Sequence, residues 1–220
     1  MPHVVWDWNG TLFDDFEQVV EAVNEGLVPY GIGPIDATDY RDHYTRPVKR
    51  FYDSLFGREV GEDEWVDLDR RFHDAYRRML GSARLAAEAE HALADLAGRG
   101  VTQSLLSMYP HDELVELVER FELGSWFVAA DGLRGSSGDR KAGHLAAHLG
   151  RLGVDPATVL LVGDALDDAE AAAAVGAACV LYHSGSHHRH QLEAAGVPVI
   201  ESLLDVVHHL PPVQSSGSRS

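Results

Sequence analysis

The chain has 220 residues, 45% of them apolar, which is enough for one sizeable core with a smaller insert. Its 18 Lys and Arg stand against 35 Asp and Glu, a formal charge of −17, so the surface repels nucleic acid and anionic membrane and neither is expected as a partner. An anionic substrate would need local positive charge or a metal to overcome that field, and a lone cysteine, Cys179, excludes an internal disulfide and suits a reducing, cytoplasmic setting.

The start, "MPHVVWDW", shows no basic segment followed by a long apolar one, so no signal peptide is expected. "HVVWD" (3–7) is predicted as a first strand that stops at an acid. The stretch 14–83 then carries three helical patterns, "FEQVVEAVNEGLVPYG", "ATDYRDHYTRPVKRFYDSLFG" and "DEWVDLDRRFHDAYRRML", and no convincing strand. It reads as an all-helical domain inserted after the first strand. From residue 86 a strand-helix alternation sets in. "AAEAEHALADLAGRG" (86–100) is a helix ending at Gly100, a suitable C-terminal stop. "VTQSLLS" (101–107) is a second strand, "HDELVELVERFEL" (111–123) an amphipathic helix, and "SWFVAA" (125–130) a third strand. "KAGHLAAHLGRLG" (141–153), "ATVLLVG" (157–163), "DDAEAAAAVG" (167–176), "AACVLY" (177–182) and "VPVI" (197–200) complete the alternation. The Ala-rich run 171–182 is too short to span a bilayer. This order predicts an α/β fold: a Rossmann-like three-layer core with a parallel sheet, built from residues 1–13 and 84–210, around the helical insert 14–83. The ending "PPVQSSGSRS" (211–220) is polar and turn-rich and is expected to be a disordered tail.

In an open parallel sheet, ligands bind beyond the carboxyl ends of the strands. The first strand ends in Asp7, followed by Asn9-Gly10-Thr11; the second ends in Ser107; the fourth ends in Gly163-Asp164, with Asp167 and Asp168 just after; Lys141 opens the helix before it. Taken singly, Asp7 and Ser107 would be turn residues, Lys141 a solvated helix start, and Asp167 and Asp168 helix-dipole partners. Taken together at one sheet edge, they form the inventory for metal-assisted phosphoryl transfer. Two carboxylates and a carbonyl can hold Mg2+, which takes oxygen ligands. A hydroxyl and an ammonium can hold phosphoryl oxygens, and Asp7 can attack phosphorus to give an aspartyl-phosphate.

With "DWNGTL" (7–12), "VGDALDDAEAAAAVG" (162–176), a Ser after strand two and a Lys before strand four, the chain resembles the haloacid dehalogenase superfamily. The matching motifs are D-x-D-G-T-L and G-D-x-x-x-D-x-x-A-A-x-x-A-G, and the layout is most similar to phosphoglycolate phosphatase-like members with a helical cap. The resemblance covers residues 3 to about 207. It implies that Asp7 is the nucleophile and a Mg2+ ligand, that Asn9 gives its backbone carbonyl to the metal, and that Thr11 and Ser107 bind the phosphoryl group. It further implies that Lys141 bridges phosphoryl and Asp7, that Asp164 is the metal's other carboxylate, and that Asp168 (or adjacent Asp167) is an outer or water-mediated ligand. Two positions depart from the pattern. Ala142 follows Lys141 where the phosphatases usually carry Pro, a small change. Asn9 stands where the family carries its acid-base Asp. General acid-base catalysis is worth roughly 10²–10⁴-fold, about 3–5 kcal/mol of barrier, so Asn9 predicts a slower or differently assisted enzyme.

The resulting expectation is a Mg2+-dependent phosphomonoester hydrolase acting on a small phosphorylated metabolite, as a monomer or homodimer. Two alternatives stay open at this point: a catalytically weak binding or regulatory protein on the same fold, or C–P or C–halogen cleavage. The C–P branch carries a Schiff-base lysine in its helical domain, and Lys49 is the only lysine in this one. Arg46, Lys49 and Arg50 are read as helix-surface charges, or as groups, Arg46 foremost, that reach a distal anionic part of the substrate. "HSGSHHRH" (183–190) lacks structural-zinc spacing and is read as a solvated loop and helix start. "GLRGSSGDRK" (132–141) lacks the Gly-Lys-Ser/Thr of a phosphate loop, and Cys179 is expected in the core.

Overall fold

The computed structural model describes residues 1–134 and 140–212. Six parallel strands form the main sheet: β1 (His3–Trp6), β4 (Thr102–Pro110), β5 (Ala130–Leu133), β6 (Val159–Gly163), β7 (Ala178–Tyr182) and β8 (Val199–Ile200). Their spatial order is β5-β4-β1-β6-β7-β8, so β1 is central and the chain reverses direction around it. Two short strands, β2 (Phe13–Asp14) and β3 (Arg84–Leu85), pair antiparallel where the chain leaves and re-enters the sheet region.

Alternation along the strands sends side chains to opposite faces. Val4, Trp6, Leu105, Leu160 and Val162 pack under α5 (Ala89–Gly98) and α6 (His111–Arg120). Val5, Leu106 and Leu161 pack against α7 (Lys141–Leu152) and α8 (Leu166–Val175), where Cys179 is buried as expected. The α/β layering is therefore as the sequence pattern predicts.

Between β2 and β3 lie four helices: α1 (Phe16–Leu27), α2 (Ala37–His43), α3 (Val48–Phe56) and α4 (Glu62–Met79). They carry their own apolar cluster of Val23, Leu27, Tyr40, Phe51, Tyr52 and Leu68. Local signals stop and start them. Asp36 and Asp39 cap the start of α2 reciprocally, and Gly57, at φ +63°, ends α3 in the left-handed region. Glu64 accepts the Gly61 N–H (3.0 Å) at the start of α4, and Arg77 and Arg78 sit in its last turn.

The third strand lies later than predicted. Residues Gly124–Trp126 form a turn of 3₁₀ helix, Phe127 packs against the core from a loop, and the strand begins only at Ala130. The segments 135–139 and 213–220, which include most of the Gly/Ser loop and of the predicted tail, lie outside the described residues.

Candidate active site

The parallel register aligns the strand ends. Trp6 pairs with Leu105 on one side and Val162 on the other, so Ser107 and Asp164 stand at the same level, one residue beyond Asp7. The Asp7 N–H donates to Val162 O (2.8 Å), which extends the β1–β6 ladder up to the acid. Gly10, at φ +69°, turns the chain back over the sheet edge. A Cβ there would lie 2.2 Å from Asp164 Oδ2, so only glycine lets the turn approach that carboxylate. Gly163 plays the same part for Asp168, whose Cγ would be 2.1 Å from an added Cβ.

Lys141, the first residue of α7, reaches inward with its side chain 2% exposed. Its Nζ lies 2.8 Å from Asp7 Oδ1 and also pairs with Asp168. Asp168 Oδ2 additionally accepts the Ala165 N–H (3.1 Å). Asp164 Oδ2 accepts from Ser186 Oγ (2.5 Å) and Ser184 Oγ (3.3 Å). Carboxylate oxygens of Asp7, Asp164 and Asp168 all lie within 4.8 Å of one another. Ser107 is buried in β4 with its Oγ accepting the Tyr109 N–H (3.0 Å), and Thr11 is fully buried with its Oγ unpartnered.

Three buried carboxylates thus share one ammonium. Burial is the largest influence on each acid and raises it; Lys141 pulls Asp7 and Asp168 down without overcoming burial and mutual repulsion. Asp164 is pushed up to about 7 by burial and by Asp168. Burial also opposes the charge on Lys141, but Asp168, Asp7 and Asp167 outweigh it and hold the ammonium firmly protonated. The centre is short of positive charge. The donor set, all carboxylate oxygen, fits a hard divalent cation such as Mg2+, and Thr11, in the turn that follows Asp7, keeps an unpartnered hydroxyl that fits an incoming oxyanion.

The Nδ2 end of the Asn9 side chain is engaged outside this group of acids. It donates to Asp15 Oδ2 (2.9 Å) and Tyr76 Oη (2.8 Å). The helical insert closes over the same edge. Arg46 pairs with Asp167 (3.3 Å), Arg41 Nε donates to Gly185 O (2.5 Å), and His188 Nε2 meets Asp42 Oδ1 (2.7 Å). Lys49 instead pairs with Asp53 and Glu59 inside the insert. The segment 183–190 differs from its expected solvated state. His187 is 6% exposed, its ring 5.3 Å from that of Tyr44, because the loop after β7 is wedged between Asp164 and the insert. Ser184, Ser186, His187 and Asp15 carried no signal in the sequence that could have found them, since each acquires its contacts only from distant segments.

Comparisons with known proteins agree with this geometry. Residues 1–176 match the family model described as haloacid dehalogenase-like hydrolase. The chain belongs to that family. It is 28% identical over 199 residues to a phosphoglycolate phosphatase of Synechococcus elongatus, covering 89% of this chain and 90% of the relative. An N-acetylmuramic acid 6-phosphate phosphatase of Pseudomonas aeruginosa is 25% identical, covering 84% and 83%. The fold of a haloacid dehalogenase-like protein of Streptococcus pneumoniae superposes with a TM-score of 0.81 at 17% identity, covering 94% of this chain and 97% of that one. The chain is therefore a haloacid dehalogenase-family hydrolase of phosphoglycolate phosphatase-like type. Among the described residues no helix is long and apolar enough to cross a membrane.

Proposed function

We propose that the protein is a Mg2+-dependent phosphomonoester hydrolase in which Asp7 is the nucleophile. The observation that carries this reading is the buried cluster of Asp7, Asp164 and Asp168 around the single ammonium of Lys141. Asp7 ends a rigid central strand, and its carboxylate is kept from rotating by the Lys141 contact, so an in-line approach to phosphorus costs little reorganisation. The bond formed is Asp7 Oδ–P; the bond broken is P–O of the ester, whose oxygen leaves with the electron pair. Lys141, the Thr11 hydroxyl and Ser107 hold the phosphoryl oxygens as charge spreads over them. Asp7, Asp164 and the Asn9 carbonyl would hold the metal, with Asp168 acting through Lys141 or water. The metal supplies the positive charge that the three acids and a phosphoryl group together lack.

The substrate class we infer is a small phosphate ester of a carboxylic acid. Two relatives act, by name, on phosphoglycolate and N-acetylmuramic acid 6-phosphate, and both substrates carry a carboxylate besides the phosphate. Arg46, on the insert beside the cleft, pairs with Asp167 and is placed to exchange that partner for a substrate carboxylate. Lys49 is engaged elsewhere, which removes the support for a Schiff-base mechanism.

The test is phosphate release with Mg2+ from phosphoglycolate, N-acetylmuramic acid 6-phosphate and p-nitrophenyl phosphate, with acid trapping of the phosphoprotein. Release that disappears in Asp7→Asn, with label on the wild-type chain, is expected. No release from any of the three overturns the reading, and release without a trapped acyl-phosphate overturns the role of Asp7.

A further inference from the structure

The amide of Asn9 belongs to a closed ring of three side chains drawn from the turn after β1, the start of α1 and the body of α4. Asn9 donates both of its N–H groups, to Asp15 Oδ2 (2.9 Å) and Tyr76 Oη (2.8 Å). Tyr76 donates its own proton to the same Asp15 oxygen (2.6 Å), and Asp15 Oδ1 accepts the Gly10 N–H (3.0 Å). Asp15 is 2% exposed and Tyr76 3%, whereas Asn9 is half-buried. Among the described residues none donates to Asn9 Oδ1. An amide fixed by its two N–H groups presents a carbonyl oxygen, which accepts a hydrogen bond and cannot take a proton. A carboxylate at position 9 would have no N–H to give. It would face Asp15 across 2.9 Å with one Tyr76 proton between two acceptors.

We propose that Asp15, with Tyr76, is a positioning residue: it holds the Asn9 amide by Nδ2 and leaves the side-chain Oδ1 free to orient the water that hydrolyses the phospho-Asp7 intermediate. This rests on the phosphatase reading above. The water oxygen forms the new P–O bond. The P–O bond to Asp7 breaks with its electron pair returning to the carboxylate, and the water's proton passes to a phosphate oxygen. No base at position 9 takes part, so this step is slow. Positions 9 and 15 are consequently one unit: an acid at 15 requires an amide at 9, and an acid at 9 is productive only with an amide at 15. In the exchanged arrangement every hydrogen bond of the ring survives with donor and acceptor reversed.

A four-protein cycle tests this: wild type, Asn9→Asp, Asp15→Asn, and the double variant, each measured for Tm and for kcat and KM with p-nitrophenyl phosphate and Mg2+. Asn9→Asp alone should lower Tm by about 5 °C without raising kcat. Asp15→Asn alone should lower kcat with KM unchanged. The double variant should recover the Tm and raise kcat at least about 10-fold over wild type, as an added base predicts, again with KM unchanged. Additive Tm changes around the cycle overturn the ring. An Asn9→Asp single variant as active as the double overturns the coupling. If no member releases phosphate, the phosphatase reading and the water-orienting role fall together, and the Tm cycle separately decides whether the ring exists.

Discussion

Two buried polar clusters lie against the same sheet, and they differ in one physical respect. In the first, His3 Nδ1 meets Thr102 Oγ (2.8 Å), and His3 Nε2 and His148 Nε2 both meet Ser104 Oγ (2.8 Å each). His148 Nδ1 in turn meets Asp131 Oδ2 (2.5 Å), which Arg151 also approaches. In outline, Asp131–His148–Ser104 has the connectivity of a nucleophilic triad. Yet Ser104 is fully buried, its hydroxyl is held by two rings, and the acid is balanced: burial would raise Asp131, but His148 and Arg151 bring it below the usual range. The second cluster, Asp7, Asp164, Asp168 and Lys141, has charge left over, raised acids and an unpartnered hydroxyl nearby. Residue types alone would rank the first cluster as the enzyme. Satisfaction of every polar group marks it as architecture, and the deficit in the second marks it as a place that awaits a ligand.

The sharpest way to break this contrast is to remove one acid from each. Asp7→Asn should cut kcat by at least about 10⁴-fold, as loss of a nucleophile does. It should leave Tm unchanged or raise it, because one of three competing buried carboxylates is gone. Asp131→Ala should do the reverse, lowering stability by roughly 1–3 kcal/mol by leaving His148 Nδ1 without its partner while kcat stays within about twofold. Steady-state kinetics beside thermal melts check both. A fall in Tm for Asp7→Asn would mean that the acid is structural.

The two clusters should also respond to pH with opposite signs. Asp164 titrates near 7 in the folded chain against 3.8 as a free side chain. Between those values the folded state binds more protons than the unfolded one, so metal-free stability falls as pH rises through that window. Mg2+ should reverse this above pH 7, by about 2.7 kcal/mol at 100 times its Kd. His3 is lowered from 6.5 to about 4, by burial and then by His148. Here the unfolded state binds more protons, so the stabilisation present above 6.5 is lost as pH falls toward 4, by up to about 3 kcal/mol. Melts from pH 4 to 8 with EDTA or Mg2+ separate the two, since only the cluster of Asp7, Asp164 and Asp168 responds to metal. An acid limb that shifts with Mg2+ would contradict the assignment to His3.

The contrast explains what the sequence could and could not reveal. The ends of β1 and β6 are legible because short apolar runs stop abruptly at Asp7 and Asp164, and chain order alone sends parallel strand ends to one edge. Asp7, Lys141, Asp164 and Asp168 meet there for that reason. Strand β5 lies later than the apolar run suggests, and "ADGL" itself has weak strand character. It pairs with β4 beside His111, where Gly132 leaves no room for a side chain: an added Cβ would lie 2.6 Å from His111 Cα. Asp15 was invisible for a different reason. It looks like a loop acid until Tyr76, 61 residues away, is packed against it. The His-rich loop likewise reads as solvated until Tyr44 covers His187. Local propensity carries strand ends, whereas side-chain partners brought by the helical insert are non-local.

The smallest expected effect on activity concerns the serine that the two histidines share. Ser104→Ala removes the one hydroxyl that bridges His3 and His148 and leaves a ring nitrogen of each without its partner. If the cluster is architectural, the cost is that of leaving buried ring nitrogens unpaired, roughly 1–3 kcal/mol, or several °C in Tm for a chain of this size. kcat should not change, because Ser104 lies in the body of β4, level with Val5, while the site begins two residues further along at the level of Asp7. Loss of hydrolysis in Ser104→Ala with an intact melt would show that Ser104 takes part in the reaction.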